Sequence, residues 1–177
     1  MVDAPAHEDR AHAILGASSS HRWMNCPGSI RLSVDAPSRT SRYADEGTAA
    51  HQLAERALRL RAADTARAAY AFIGETETVR NQPWEITEEM AEAVQVFVDA
   101  VQGAVQPGDT LLVEQQFDLS RIHPGMFGTN DACVLSPARG TLFVFDYKHG
   151  RGHAVEAVGN PQLRYYGLGA LMTMAAQ

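Results

Sequence analysis

Apolar positions recur at helical spacing through two stretches of the chain and then switch to strand spacing. "DEGTAAHQLAERALRLRAADTARAAYAFI" is rich in Ala and Leu with apolar residues three and four apart, which predicts a helix from about 46 to 72. "GETETVRNQPWE" breaks the pattern. "TEEMAEAVQVFVDAVQGAV" resumes it, with Thr87 as N-cap, acids in the first turn, and Met90, Val94, Phe97, Val98 and Val101 on one face. Gly108-Asp109 turns the chain into "TLLVEQQFDL", an alternating strand. "GMFGTNDACVLS" reads as a second strand, and Pro-Ala-Arg-Gly forms a turn. "TLFVFDYKH" is a third strand, apolar enough to be covered on both faces. "NPQLRYYGLGALMTMAA" places Pro161 near the first position of a closing helix. Ahead of all this, "SSSHRWMN" suits a short capped helix that "CPG" stops, and a loop rich in Ser, Arg and Pro runs to about 42. Residues 1–16 carry no sustained period and are expected to form a loosely held arm before one domain, 17–177.

Composition changes this picture little. The 177 residues are 45% hydrophobic and 20% charged, ordinary for a globular chain with a sizeable core. No apolar run approaches the roughly 20 residues that span a bilayer, and the N-terminus lacks the regions of a signal peptide. Cys26 and Cys133 make neither a disulfide framework nor a metal pair, so a cytoplasmic setting and small buried thiols are expected.

Charge adds more. The net of −6 speaks mildly against a nucleic-acid partner until it is divided along the chain. Residues 21–61 carry seven Arg against four acids, a net of +3; residues 62–119 carry eleven acids against two Arg, a net of −9; residues 120–177 carry five cations against three acids, a net of +2. Two basic flanks therefore bracket an acidic middle and can supply a phosphate-binding face. Fourteen of the fifteen cations are Arg, and the single lysine is Lys148. A GC-rich genome accounts for the scarcity of lysine but not for the place of the survivor.

The strands carry the chemistry. Asp146 follows four core residues, where a carboxylate is costly without a cation or metal, and Lys148 lies two positions on, on the same side of a strand. A plain ion pair would explain those two alone. Asp131 on the second strand and Glu114 on the first add two more acids in apolar settings. Such a cluster suits a hard divalent cation, which can polarise a phosphoryl oxygen and help ionise water while an ammonium orients that water.

These residues resemble the PD-(D/E)XK nuclease superfamily: Asp131, then fourteen residues, then Asp146-Tyr147-Lys148. "GTAAH", 47–51, is similar to the G-x-x-x-H signature of the RecB-like branch. "PQLRYY", 161–166, resembles that branch's Q-x-x-x-Y element, and "SSSHRWMNCPGS", 18–29, its N-terminal S-x-W-x-x-C-P segment. Phage-encoded proteins of RecB-like exonuclease type often read D-Y-K-x-G in the lysine strand, as here.

The resemblance implies an α/β, restriction-endonuclease-like core, a small mixed sheet flanked by helices. It implies a Mg²⁺- or Mn²⁺-dependent deoxyribonuclease, an exonuclease by preference, acting in phage recombination or DNA processing with a recombination partner protein. Asp131, Asp146 and Lys148 would be catalytic. His51, Asp131, Asp146 and the Tyr147 carbonyl would hold the metal, with Glu114 as an auxiliary ligand. Gln162, Tyr166 and Arg164 would steer the DNA backbone or the lysine, and Arg151 and Arg22 would contact DNA. Arginine is too large and too firmly protonated to replace a compact ammonium beside the attacking water, which explains Lys148. The chain departs from the commoner pattern in having Asp146 where Glu is usual. Cys26 matches the first cysteine of the iron–sulfur relatives, but no trio follows, so no cluster is expected.

Two other readings stand beside this one. A non-catalytic nucleic-acid-binding or assembly module can keep the same fold, and a phosphohydrolase of small phosphates would need a nucleotide signature such as a P-loop, which the sequence lacks. Leu168, Leu171, Met172 and Met174 give the closing helix apolar surface in want of a partner, either a further segment or a second copy in a homo-oligomer.

Overall fold

The computed structural model describes residues 13–34, 36, 41–60, 68–150 and 155–174. Its order is a 3-10 turn at Ala17–Ser19, α1 (Ser20–Asn25), α2 (Gly28–Val34), α3 (Arg42–Arg59), a 3-10 turn at Ala69–Phe72, β1 (Thr76–Val79), β2 (Gln82–Glu85), α4 (Glu88–Ala104), β3 (Thr110–Asp118), β4 (Phe127–Ser136), β5 (Thr141–Phe145) and α5 (Pro161–Met174). The architecture is α/β, with small sheets flanked by helices. Every strand pair among the described residues is antiparallel, so the sheet is not the mixed one expected. Hairpin-length turns explain this: residues 119–126 and 137–140 are too short for the crossover that parallel strands require.

The three-stranded sheet has the order β3-β4-β5 and separates two apolar cores. On one side α3 and α4 pack together. α3 presents Ala49, Ala50, Leu53, Ala54, Ala57 and Leu58, and its many alanines permit close approach. α4 presents Met90, Val94, Phe97, Val98 and Val101, all buried as expected, and Thr87 Oγ1 accepts the Met90 amide at 3.2 Å as its cap. On the other side α5 covers the sheet with Tyr165, Tyr166 and Ala170. Asn160 Oδ1 caps α5 by accepting the amides of Gln162 (2.9 Å) and Leu163 (3.2 Å), with Pro161 in the first turn. Leu168 and Leu171 remain exposed on its outer face.

Three elements depart from the expected ones. α3 begins four residues earlier, because Ser41 Oγ accepts the Ala44 amide at 3.2 Å. It ends at Arg59; residues 61–67 lie outside those described, and 69–72 form a 3-10 turn. The break before α4 contains a hairpin, β1–β2, turned by Arg80 and Asn81 at φ 50° and 60°, the two left-handed residues of a type I′ turn. Its strands lack apolar alternation; they are held to α3 by Arg56, which binds Glu75 and Glu77. β5 is only half-buried, since it is the sheet edge, although Phe143 and Phe145 pack into one core and Leu142 and Val144 into the other.

Residues 13–16, expected in the arm, dock on the fold. The Leu15 amide donates to the Gly125 carbonyl (3.0 Å), and the Trp23 indole N–H donates to the Gly16 carbonyl (3.0 Å). No helix among the described residues is long and apolar enough to cross a membrane.

Candidate functional site

The β4–β5 ladder stops at Ala132↔Phe145, and side chains then take over its role. Asn130, fully buried, donates from Nδ2 to the Phe145 carbonyl at 2.8 Å. The Tyr147 amide donates to Asp131 Oδ2 at 2.6 Å, short as expected for a charged acceptor. The chain leaving β5 is therefore pinned on both sides of Asp146.

β3 changes phase at the same level. In an unbroken strand Leu111, Val113 and Phe117 would share a face. Leu111 and Val113 pack into the core under α3 and α4, whereas Phe117 packs into the core under α5. Between them Glu114 has φ 49°, and pairing passes from Val113↔Ala132 to Gln115↔Asn130 without a Glu114–Asp131 rung. A left-handed non-glycine costs about 1–2 kcal/mol, so the surroundings must hold it.

α3 brings His51 to this level. Its Nδ1 lies 3.3 Å from Asp131 Oδ1, and the Tyr147 ring meets it edge-on at 5.3 Å. His51, Glu114 and Asp131 each offer a ligand atom within 4.8 Å of the others. Burial depresses the His51 pKa, but the Asp131 hydrogen bond and the charges of Asp131 and Glu114 outweigh it, leaving the imidazole above its ordinary value. Asp146 is also raised, by burial first and then by Asp131, against the lowering effect of Lys148. Its Oδ2 is paired with the Lys148 ammonium, and its Oδ1 accepts from Gln162 Nε2 at 2.7 Å. Tyr166, one turn further along α5, is buried beside Gln162, and burial raises its phenol.

A cleft of about 420 Å³ opens at this level. His51, Glu114, Asp131, Asp146, Lys148, Gln162 and Tyr166 line it, and Ala13 and residues 16–19 form another part of its wall. Gly128 lets the wall close: a Cβ there would lie 3.3 Å from the Tyr166 ring and 3.5 Å from Tyr165. Two carboxylates and one imidazole set close together, with a third carboxylate and an ammonium on the same cleft, can hold a divalent cation and place a water beside it.

Residues 12–176 match the family model described as "Protein of unknown function (DUF2800)". The chain belongs to the DUF2800 family. The match takes in every residue of the cleft. No solved structure matches the chain.

Within the DUF2800 span, the expected site residues divide into three groups. Seven line the cleft. Glu114, expected as an auxiliary, belongs to the closest three, while Asp146 stands apart from them on Lys148 and Gln162. Tyr147 is not among the lining residues; its amide donates to Asp131, and its ring is buried between Phe97 and His51, with its hydroxyl 2.9 Å from His149 Nδ1 and its pKa raised by burial to about 12. Arg22 on α1 and Arg164 on α5 are exposed and do not line the cleft, and Arg151 lies outside the described residues.

Gln162 and Tyr166, expected to steer the DNA backbone or the lysine, are hydrogen-bonded to one another, and Gln162 holds Asp146, the partner of Lys148. Cys26, expected to be buried, is exposed because "CPG" forms the open junction between α1 and α2. Cys133 is buried, which raises its thiol to about 11. Asn130 was missed by the sequence reading; its signal is a polar residue beside Asp131 in a strand that is otherwise buried.

Proposed function

We propose that this chain is a metal-dependent DNA nuclease, an exonuclease by preference, built on the PD-(D/E)XK plan of the RecB-like branch. The observation that carries the reading is the convergence of His51, Glu114, Asp131, Asp146 and Lys148 on one cleft from α3, β3, β4 and the end of β5. The donors fit Mg²⁺ or Mn²⁺: carboxylate oxygens with one imidazole nitrogen, spaced so that a small shift brings them around one ion.

In this reading His51, Glu114 and Asp131 hold the ion, with Asp146 and the Tyr147 carbonyl completing the protein's share. When bound, the ion supplies a Lewis acid for the phosphoryl oxygen and lowers the pKa of water. Lys148, with an exposed side chain tethered to Asp146, directs the water at the phosphorus and offsets developing charge. Gln162 fixes Asp146, so the lysine's tether cannot swing. Arg22 and Arg164 meet flanking phosphates outside the cleft. Contacts of this kind position the backbone and carry little sequence information.

The test is digestion of end-labelled linear DNA and of covalently closed circles, with Mg²⁺, Mn²⁺ or EDTA. The expected result is metal-dependent loss of the linear form, suppressed by EDTA, with circles spared. A folded chain that binds DNA and leaves both forms intact with either metal would replace the nuclease with a non-catalytic binding module.

A further inference from the structure

Glu114 keeps a left-handed backbone inside a strand, at a level where the register of β3 on β4 passes from Val113↔Ala132 to Gln115↔Asn130. The carbonyl of Val113, which belongs to the peptide unit joining Val113 to Glu114, takes a hydrogen bond from outside the sheet: Arg59 Nη2 donates to it at 3.0 Å. Arg59 is the last residue of α3, the helix that also delivers His51. Its Nε donates to Glu55 Oε1, also at 3.0 Å, one turn back on the same helix. The guanidinium fork is thus aimed by one acceptor and delivers a second donor to the strand, a two-handed contact that a lysine cannot make.

We infer that Arg59 is a positioning residue for the metal centre. It holds the Val113–Glu114 peptide turned out of the ladder, and that turn sends the Glu114 carboxylate to His51 and Asp131. Three observations converge on it: the left-handed φ confined to Glu114 within β3, the change of core face between Val113 and Phe117, and the hydrogen bond that the Val113 carbonyl accepts from the helix that carries His51. Neighbours that orient a ligand rather than bind the ion commonly change metal affinity about 10–100-fold. The inference rests on the metal-centre reading above.

Calorimetry with Mn²⁺ on the full chain tests it without recourse to DNA cleavage. Arg59→Met keeps the stem and removes the donors, and should weaken Mn²⁺ binding about tenfold. Arg59→Lys, a gentler change that secures the test if the first variant does not fold, should weaken it several-fold. Glu114→Gln should lose at least as much as Arg59→Met. The double variant Arg59→Met/Glu114→Gln should bind no more weakly than Glu114→Gln alone, because Arg59 acts through that carboxylate. Wild-type affinity in the Arg59 variants, or fully additive losses in the double variant, would overturn the inference and leave the metal centre standing. Absence of Mn²⁺ binding by the wild-type chain would overturn the metal centre and this inference together.

Discussion

Lys148 and Asp146 act as a pair in which the carboxylate aims the ammonium and Gln162 aims the carboxylate. Lys148→Arg keeps the charge but spreads it over a planar fork, so Mn²⁺ binding should survive while turnover falls at least about 100-fold, the lower range for a misplaced catalytic group. Near-normal cleavage by that variant would reduce the lysine to an ordinary ion-pair partner. Asp146→Asn, close in volume, should leave the chain folded, weaken Mn²⁺ binding and abolish cleavage; unchanged calorimetry would remove Asp146 from the centre.

The raised His51 and Asp146 give a pH signature in the metal-free chain. A group whose folded pKa is raised binds more protons folded than unfolded, so its contribution fades as pH climbs from the unfolded to the folded value. For His51 that window opens at about 6.5 and for Asp146 at about 3.9, and both lie upward from there. The stability that His51 contributes to the metal-free chain should therefore fall as pH rises above about 6.5, so the difference in melting temperature between the chain and His51→Gln should shrink over that range. Mn²⁺ affinity should climb over the same range as the competing proton leaves. A difference that stays constant would show that another group titrates.

At the scale of elements, the approach of α5 to β3 sets how the cleft closes. An added Cβ at Gly169 would sit 2.6 Å from the Phe117 Cβ, a contact that requires backbone movement. Gly169→Ala should cost about 1–3 kcal/mol by overpacking and loosen the braces that α5 supplies through Gln162 and Tyr166. Gly103→Ala on α4, where the added Cβ meets nothing within 4 Å, should instead stabilise by about 0.5–1 kcal/mol. Melting curves of the two variants shifting in the same direction would contradict this packing. The β1–β2 hairpin illustrates why some elements escape a reading by pattern. "TETVRNQPWE" has neither alternation nor the usual Asn-Gly, and its order comes from α3, through Arg56, and from an Arg80–Asn81 turn at positive φ.

Across the whole molecule, the proposed DNA contacts are few. Among the described residues, the cations proposed to meet phosphate are Lys148, Arg22 and Arg164, on a chain of net charge −6. Three phosphate contacts predict a log–log salt slope for DNA binding of roughly −2 to −3, shallower than that of strongly basic DNA-binding domains. Filter binding between low and physiological salt measures it. A slope twice as steep would mean that the main cationic surface lies elsewhere, with residue 151 and its neighbours the first to examine.

The helices and strands that depend on local pattern were legible in the chain alone. α4 with its Thr87 cap and its five buried face residues, the three strands, and the Pro161 start of α5 follow from apolar period, capping chemistry and turn residues. Glu114, Asp131 and Asp146 were legible too, because an acid in an apolar strand is visible as an exception wherever it folds; Lys148 stood out as the single lysine, and His51, Gln162 and Tyr166 only through the resemblance. Tertiary structure decided what those residues do to one another. It made Glu114 a full member of the closest cluster through a left-handed turn that depends on Arg59, 55 positions earlier by number. It joined Gln162 to Asp146, 16 positions apart, at the rim of the cleft. Both rest on contacts between distant stretches, whose energies no local period encodes.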